Sequence, residues 1–188
     1  KPRAYYGHKG IYGKILHLTG CDYYRGAALL ASKASVYSGS GVVCVCSSEK
    51  VIDALATVTP ECTSKLRNSK LEQELFYDRD AILIGSGLGL NEQSEQYVID
   101  TLQYANCPIV IDADGLTIAA KHLDLLKECP VPIILTPHFG EFKRLCAYDD
   151  ELDMIDKVGG FARKYGVTVV LKGPNTLITD GRELSTIC

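Results

Sequence analysis

Short aliphatic runs rich in Ile, Val and Leu recur along this chain, separated by longer segments whose apolar residues return every three to four positions. The first pattern predicts strands and the second predicts helices laid against them. Residues 14–20 (KILHLTG) form the first strand-like run, and residues 26–38 follow as a helix of small residues ended by Gly39. A strand is expected at 42–46 and a short helix at 51–56, followed by a stretch of weak signal. Residues 80–85 (DAILIG) read as the next clear strand, then a helix at 92–104, a strand at 108–112 and a helix near 116–121. The last third predicts a strand at 132–135, a helical turn at 141–146, a helix at 152–164, a strand at 167–172 and a hairpin partner at 176–179. Strands alternating with helices predict an α/β domain with a mostly parallel central sheet, because parallel neighbours need crossovers long enough to carry a helix. The strands are apolar throughout, which predicts burial on both faces. No repeat, low-complexity tract or linker divides the 188 residues, so residues 1–188 are read as a single domain.

Composition narrows the function classes. Hydrophobic residues make up 46% and charged residues 23%, as in ordinary globular chains. The net charge of −3 and the interleaving of basic with acidic residues, as at 22–25 and 121–127, argue against nucleic acid, whose phosphates call for clustered Lys and Arg. No apolar run approaches the roughly 18 residues of a membrane helix, so no membrane partner is expected. No signal peptide is visible, although Lys1 is not an initiator methionine and the gene's start need not be here. Cys21, Cys44, Cys46, Cys62, Cys107, Cys129, Cys146 and Cys188 are scattered without a CxxC pair or a repeating framework, and read as reduced thiols in a cytoplasmic protein. Cys44 and Cys46 alternate onto one strand face as small apolar residues. His8, His17, His122 and His138 do not pair with cysteines at ligand spacing, so no metal ligands are assigned.

Candidate chemistry gathers just after the strands, where open α/β sheets bind ligands. In residues 134–142 (ILTPHFGEF) a buried strand delivers His138 to a helix start, where backbone N–H groups and the helix dipole favour an anion. A capped strand-to-helix turn accounts for the same residues without a ligand. Residues 19–28 enter a helix through Gly26 and Ala27, which permit either close ligand approach or tight packing on the sheet. Residues 85–89 (GSGLG) leave backbone N–H groups accessible before Asn91, a suitable helix cap, but lack the GxGxxG dinucleotide fingerprint and its ribose-binding acid. Asp112 and Asp114 could hold a hydrated magnesium ion or a sugar hydroxyl, or Asp114 could cap the following helix. Lys172 at a strand end offers a point charge for phosphate, or a solvated turn.

Taken in order, these stretches resemble the ADP- or ATP-dependent NAD(P)H-hydrate dehydratases, a branch of the ribokinase-like superfamily. Residues 8–13 (HKGIYG), 26–28 (GAA), 38–41 (SGSG), 85–89 (GSGLG, where the family has GPGLG), 112–114 (DAD), 136–141 (TPHFGE) and 171–176 (LKGPNT) carry the resemblance over essentially the whole chain. It implies a three-layer sandwich with helices flanking a mostly parallel sheet. It also implies repair of nicotinamide nucleotides: (S)-NADHX or NADPHX is dehydrated to NADH or NADPH while ADP or ATP is consumed, phosphorylation making the ring hydroxyl a better leaving group. By similarity, Ala27, Gly87 and His138 contact the hydrated dinucleotide, and Lys172, Gly173, Pro174, Asn175 and Thr176 line the adenine-nucleotide site. Mg2+ is the expected companion of the phosphates, and a homo-oligomer is compatible with the resemblance. The family continues past the LKGxxT hairpin into a GTGD helix start whose aspartate activates the substrate hydroxyl. That motif is not found in residues 1–188, so the chain is expected to hold the binding floor without the catalytic aspartate, and by itself to lack dehydratase activity. A kinase of a small hydroxylated metabolite and a catalytically inactive nucleotide-binding domain are the alternative readings.

Overall fold

The structure is a computed structural model that describes residues 5–146 and 153–187. One sheet runs through the molecule, built from β1 (Lys14–Leu18), β2 (Val42–Ser47), β3 (Thr63–Leu66), β4 (Ala81–Ile84), β5 (Ile109–Ile111), β6 (Ile133–Leu135), β7 (Thr168–Leu171), β8 (Thr176–Thr179) and β9 (Leu184–Ile187). Its spatial order is β3-β2-β1-β4-β5-β6-β7-β8-β9. Pairing is parallel from β3 through β7 and antiparallel at β8 and β9. The helices are α1 (Arg25–Tyr37), α2 (Glu49–Val58), α3 (Glu92–Tyr104), α4 (Asp114–Ala119), α5 (Leu123–Glu128), α6 (Phe139–Leu145) and α7 (Met154–Tyr165).

Strand alternation decides which helices cover which face. Leu16 and Leu18 of β1, Ile82 and Ile84 of β4, Ile109 and Ile111 of β5, Leu135 of β6 and Val169 of β7 are buried in one cluster with Val98 of α3, Leu116 of α4, Leu126 of α5, Phe142 of α6 and Phe161 of α7. The opposite face carries Val43 and Val45 of β2, which pack with Leu55 of α2 and with Leu29 and Val36 of α1. Helices therefore lie on both sides of the sheet, but unequally. In register, Val45 lies beside His17, His17 beside Leu83, Leu83 beside Val110, Val110 beside Ile134, and Ile134 beside Thr168, so these residues share the α1/α2 face. From Leu83 onward this row is only half-buried and belongs to neither core cluster among the described residues. The expected burial on both faces thus holds for β1 and β2, while β4 to β7 are fully covered on one face. Apolar composition marks a strand as able to be covered; which layer arrives is a tertiary matter.

The helix cap expected at Asn91 is observed. The Asn91 side chain accepts from Ser94 N at 2.8 Å and starts α3. Asp153 caps α7 by accepting from Ile155 N at 3.2 Å, and Gly166 ends it in the left-handed conformation, φ +67°. The weak stretch after α2 contains β3, an exposed polar edge strand, and a 3-10 turn at Gln73–Phe76. The helix expected near 116–121 is α4, which starts and ends about two residues earlier, and a second short helix, α5, follows His122 where none was expected. β9 is exposed along its length and pairs with β8, a strand with no burial periodicity to betray it. Residue 152, expected to begin the helix now seen as α7, lies outside the described residues.

Candidate functional site

β1 has β2 on one side and β4 on the other, so the chain leaves it in opposite directions and the topological switch point falls at the carboxyl ends of β1 and β4, where open α/β sheets bind ligands. Two backbone bonds hold its floor: Gly85 N donates to Leu18 O at 3.2 Å, and Gly20 N donates to Ser86 O at 2.9 Å. Gly87, at φ +65°, lies directly on the first turn of α1, where an added Cβ would stand 2.7 Å from Ala27 Cβ and 2.9 Å from Tyr24 Cβ. Sequence-selected Ala27 and Gly87 are therefore in contact. A Cβ added at Gly26 would meet nothing within 4 Å, so tight packing is not the reason for glycine there. Arg67, which no local pattern marks out, donates from Nη2 to Gly20 O at 3.1 Å and stacks 4.8 Å from the Tyr97 ring centroid.

Asp112, at the end of β5, ties the neighbouring strand ends together. Its Oδ2 accepts from Ser86 Oγ at 3.0 Å, and its Oδ1 accepts from Thr136 Oγ1 at 2.8 Å and from Lys172 Nζ at 3.0 Å. Burial pushes this carboxyl's pKa upward, but the Lys172 ammonium and the two hydroxyls outweigh burial and hold it below the usual aspartate range. Ser86 stands where the resembled family has proline, and its hydroxyl supplies a bond that proline could not. Ala113 follows with φ +51°, an uncommon conformation for a residue with a Cβ and one often found at functional turns. Asp114 does not cap α4; its Oδ2 accepts from Gly89 N at 2.8 Å and anchors the GSGLG loop instead.

His138 is the N-cap of α6. Its Nδ1 accepts from Gly140 N at 2.9 Å and from Glu141 N at 3.4 Å, while Glu141 Oε2 accepts from His138 N at 2.8 Å. The helix-start N–H groups expected to be bare are thus satisfied by the imidazole itself, which corrects the anion-site reading of this turn. With Nδ1 accepting, the neutral ring carries its proton on Nε2, which lies 3.6 Å from Glu141 Oε1 in a side chain that is 57% exposed. Lys172 N donates to Pro137 O at 2.8 Å, and His138 forms an isolated parallel bridge with Lys172.

The sequence-selected residues fall into two adjoining groups. Ala27 and Gly87 meet beyond the carboxyl ends of β1 and β4, and His138 lies beside Lys172 at the ends of β6 and β7. The Ser86–Asp112–Lys172 chain joins them. Gly173, Pro174 and Asn175 form the exposed turn after Lys172, and Thr176 opens β8. The HKGIYG and SGSG stretches meet each other elsewhere: Gly41 N donates to Tyr12 O at 3.1 Å and to Gly13 O at 3.0 Å, before the amino ends of β1 and β2. They brace the opposite edge of the sheet.

A family model for NAD(P)H-hydrate dehydratase matches residues 15–188. The chain belongs to the NAD(P)H-hydrate dehydratase family. An ADP-dependent (S)-NAD(P)H-hydrate dehydratase of Listeria monocytogenes is 36% identical over 182 residues, which cover 94% of this chain and 63% of the relative. A bifunctional NAD(P)H-hydrate repair enzyme of Thermofilum pendens is 34% identical over 197 residues, covering 96% of this chain and 38% of the relative. This chain therefore spans less than two thirds of the length of either. Among solved structures, a ribokinase-like superfamily protein of Enterococcus faecalis matches with a TM-score of 0.88 at 25% identity, over 99% of this chain and 66% of that one. The ADP/ATP-dependent NAD(P)H-hydrate dehydratase of Bacillus subtilis, co-crystallized with ATP/Mg2+, matches with a TM-score of 0.83 at 33% identity, over 98% and 67%. The ribokinase-like α/β fold expected for this dehydratase family member is the fold observed.

Proposed function

We propose that this chain, as one domain, forms the substrate and nucleotide floor of an enzyme that dehydrates (S)-NADHX or NADPHX to NADH or NADPH while consuming ADP or ATP. The supporting observation is the continuous edge from Gly87 through Ser86 and Asp112 to Lys172 and His138, which sets the glycine loop at the switch point beside a cationic strand end. Ala27 and Gly87 let a dinucleotide approach the main chain. Nε2 of His138 donates to an acceptor on it. Lys172 presents its ammonium to the adenine nucleotide's phosphates, and Gly173, Pro174, Asn175 and Thr176 supply a turn along which it lies. Phosphoryl transfer to the ring hydroxyl converts it to a leaving group; phosphate departs with the C–O bond, and loss of the neighbouring ring proton restores the double bond.

Mg2+ belongs to this reading as a companion of the phosphates. Among the described residues no three or more His, Cys, Asp or Glu side chains gather as a metal cluster. Phosphate oxygens and water supply most ligands in such sites. Seven free cysteines among the described residues support a cytoplasmic setting, and no helix among them is long and apolar enough to cross a membrane.

Calorimetric titration with hydrated NADH and with ATP tests the assignment. His138→Ala is expected to weaken hydrated-dinucleotide binding by about tenfold, about 1.4 kcal/mol, while ATP binding stays within about twofold. Equal loss of both rejects the separate roles. Phosphate transfer to a small alcohol in preference to any reaction with the hydrate favours a metabolite kinase instead.

A further inference from the structure

Lys172 has a side chain 47% exposed and a flexible stem, so nothing in the β7–β8 turn by itself obliges its ammonium to lie over the strand ends. It nevertheless folds back onto Asp112, 3.0 Å away. Exposed ion pairs commonly contribute little because both long side chains must be ordered. Here one partner is already fixed: Ser86 and Thr136, just past the ends of the two strands flanking β5, each donate to the Asp112 carboxylate, which is 26% exposed. The root of Lys172 is fixed as well, through its N–H bond to Pro137 O. Ordering the stem is therefore the main remaining entropic cost of the pair.

We infer that Asp112 is a positioning residue for Lys172, holding its ammonium over the ends of β5 and β6, between the Gly87 and His138 walls, where nucleotide phosphates are to be received. This rests on the adenine-nucleotide role proposed for Lys172. Asp112 acts through the lysine. Its own oxygens are occupied by Ser86, Thr136 and Lys172, and an incoming phosphate takes another of the ammonium's three hydrogens while the bond to Asp112 keeps the stem in place. Without Asp112 the charge of Lys172 remains but its place is lost, and the phosphates must order the stem themselves.

The test combines two readouts on the wild type and on D112N, K172M and the double variant. The isosteric amide of D112N keeps an oxygen for the hydroxyl donors. In calorimetry, D112N is expected to weaken ATP binding by about three- to tenfold, in the lower part of the range of couplings between contacting residues. The double variant should bind like K172M alone, and D112E should recover part of the loss. In the ligand-free protein, acetylation of Lys172 by an amine-directed ester, read by mass spectrometry, should accelerate in D112N while Lys14, paired with Asp78 at the other edge of the sheet, keeps its rate. Independent, additive losses of ATP binding overturn the inference, as does an unchanged acetylation rate at Lys172. If the wild type binds no ATP, the nucleotide reading itself falls, and Lys172 acetylation alone decides whether Asp112 holds the lysine.

Discussion

His17 offers a sharp test of the buried sheet face. It lies in β1 at 0% exposure, its Nε2 is 3.0 Å from Ser35 Oγ on α1, and its Nδ1 has no hydrogen-bond partner. Its register partners Val45 and Leu83 are aliphatic. Burial pushes its pKa down from 6.5 to about 4. The folded protein therefore keeps the imidazole neutral through the interval in which the unfolded chain takes up a proton. Stability is unaffected above 6.5, falls as pH drops toward about 4, and levels off below that. The full interval corresponds to about 3 kcal/mol, and at pH 5 about 2 kcal/mol of it should already be lost. Urea denaturation between pH 7.5 and 5 measures the loss, with His17→Gln as reference because the amide stays neutral and can still pair with Ser35. The wild-type stability curve should drop relative to the variant by that amount, while contributions from His8, His122 and His138 cancel. Curves that remain parallel down to pH 5 would refute a neutral, solvent-excluded His17.

Gly87→Val should cost about 2 kcal/mol or more in denaturant stability and weaken hydrated-dinucleotide binding, because φ +65° and a Cβ 2.7 Å from Ala27 leave no room for it; a neutral variant would mean the loop can lift away from α1. Asn91→Ala should cost about 1 kcal/mol through the lost α3 cap, seen as a lower denaturation midpoint with an unchanged slope. Ile109→Ala, at a position 0% exposed, should cost about 2–5 kcal/mol. Val110→Ala, its half-buried neighbour on the other face, should cost less than about 1.5 kcal/mol, and equal losses at the two positions would show that both faces of β5 are covered alike.

Much of the architecture was legible because its signals are local. Aliphatic runs marked β1, β2, β4, β5, β6 and β7, and Asn91 marked the start of α3 at the correct residue. β3 and β9 escaped because they are exposed, and exposure removes the alternation by which a strand announces itself. His138 was singled out correctly as the residue at a helix start. Its capping of the very N–H groups that appeared open depends on the ring's orientation, which composition does not encode.

The chain's order of residues by itself determined an α/β domain with its polar clusters at strand ends, and motif resemblance pointed to the dehydratase family. Only the tertiary structure decided that Ser86, Thr136 and Lys172, separated from Asp112 by 26, 24 and 60 positions, converge on one carboxylate. It also decided that α1 and α2 cover the sheet at β1 and β2 but not the row Leu83, Val110 and Ile134. The reason is the same in both cases. Periodicity and capping act within a few residues of chain, whereas hydrogen-bond partners and covering layers are set by strand order, and strand order brings distant residues together.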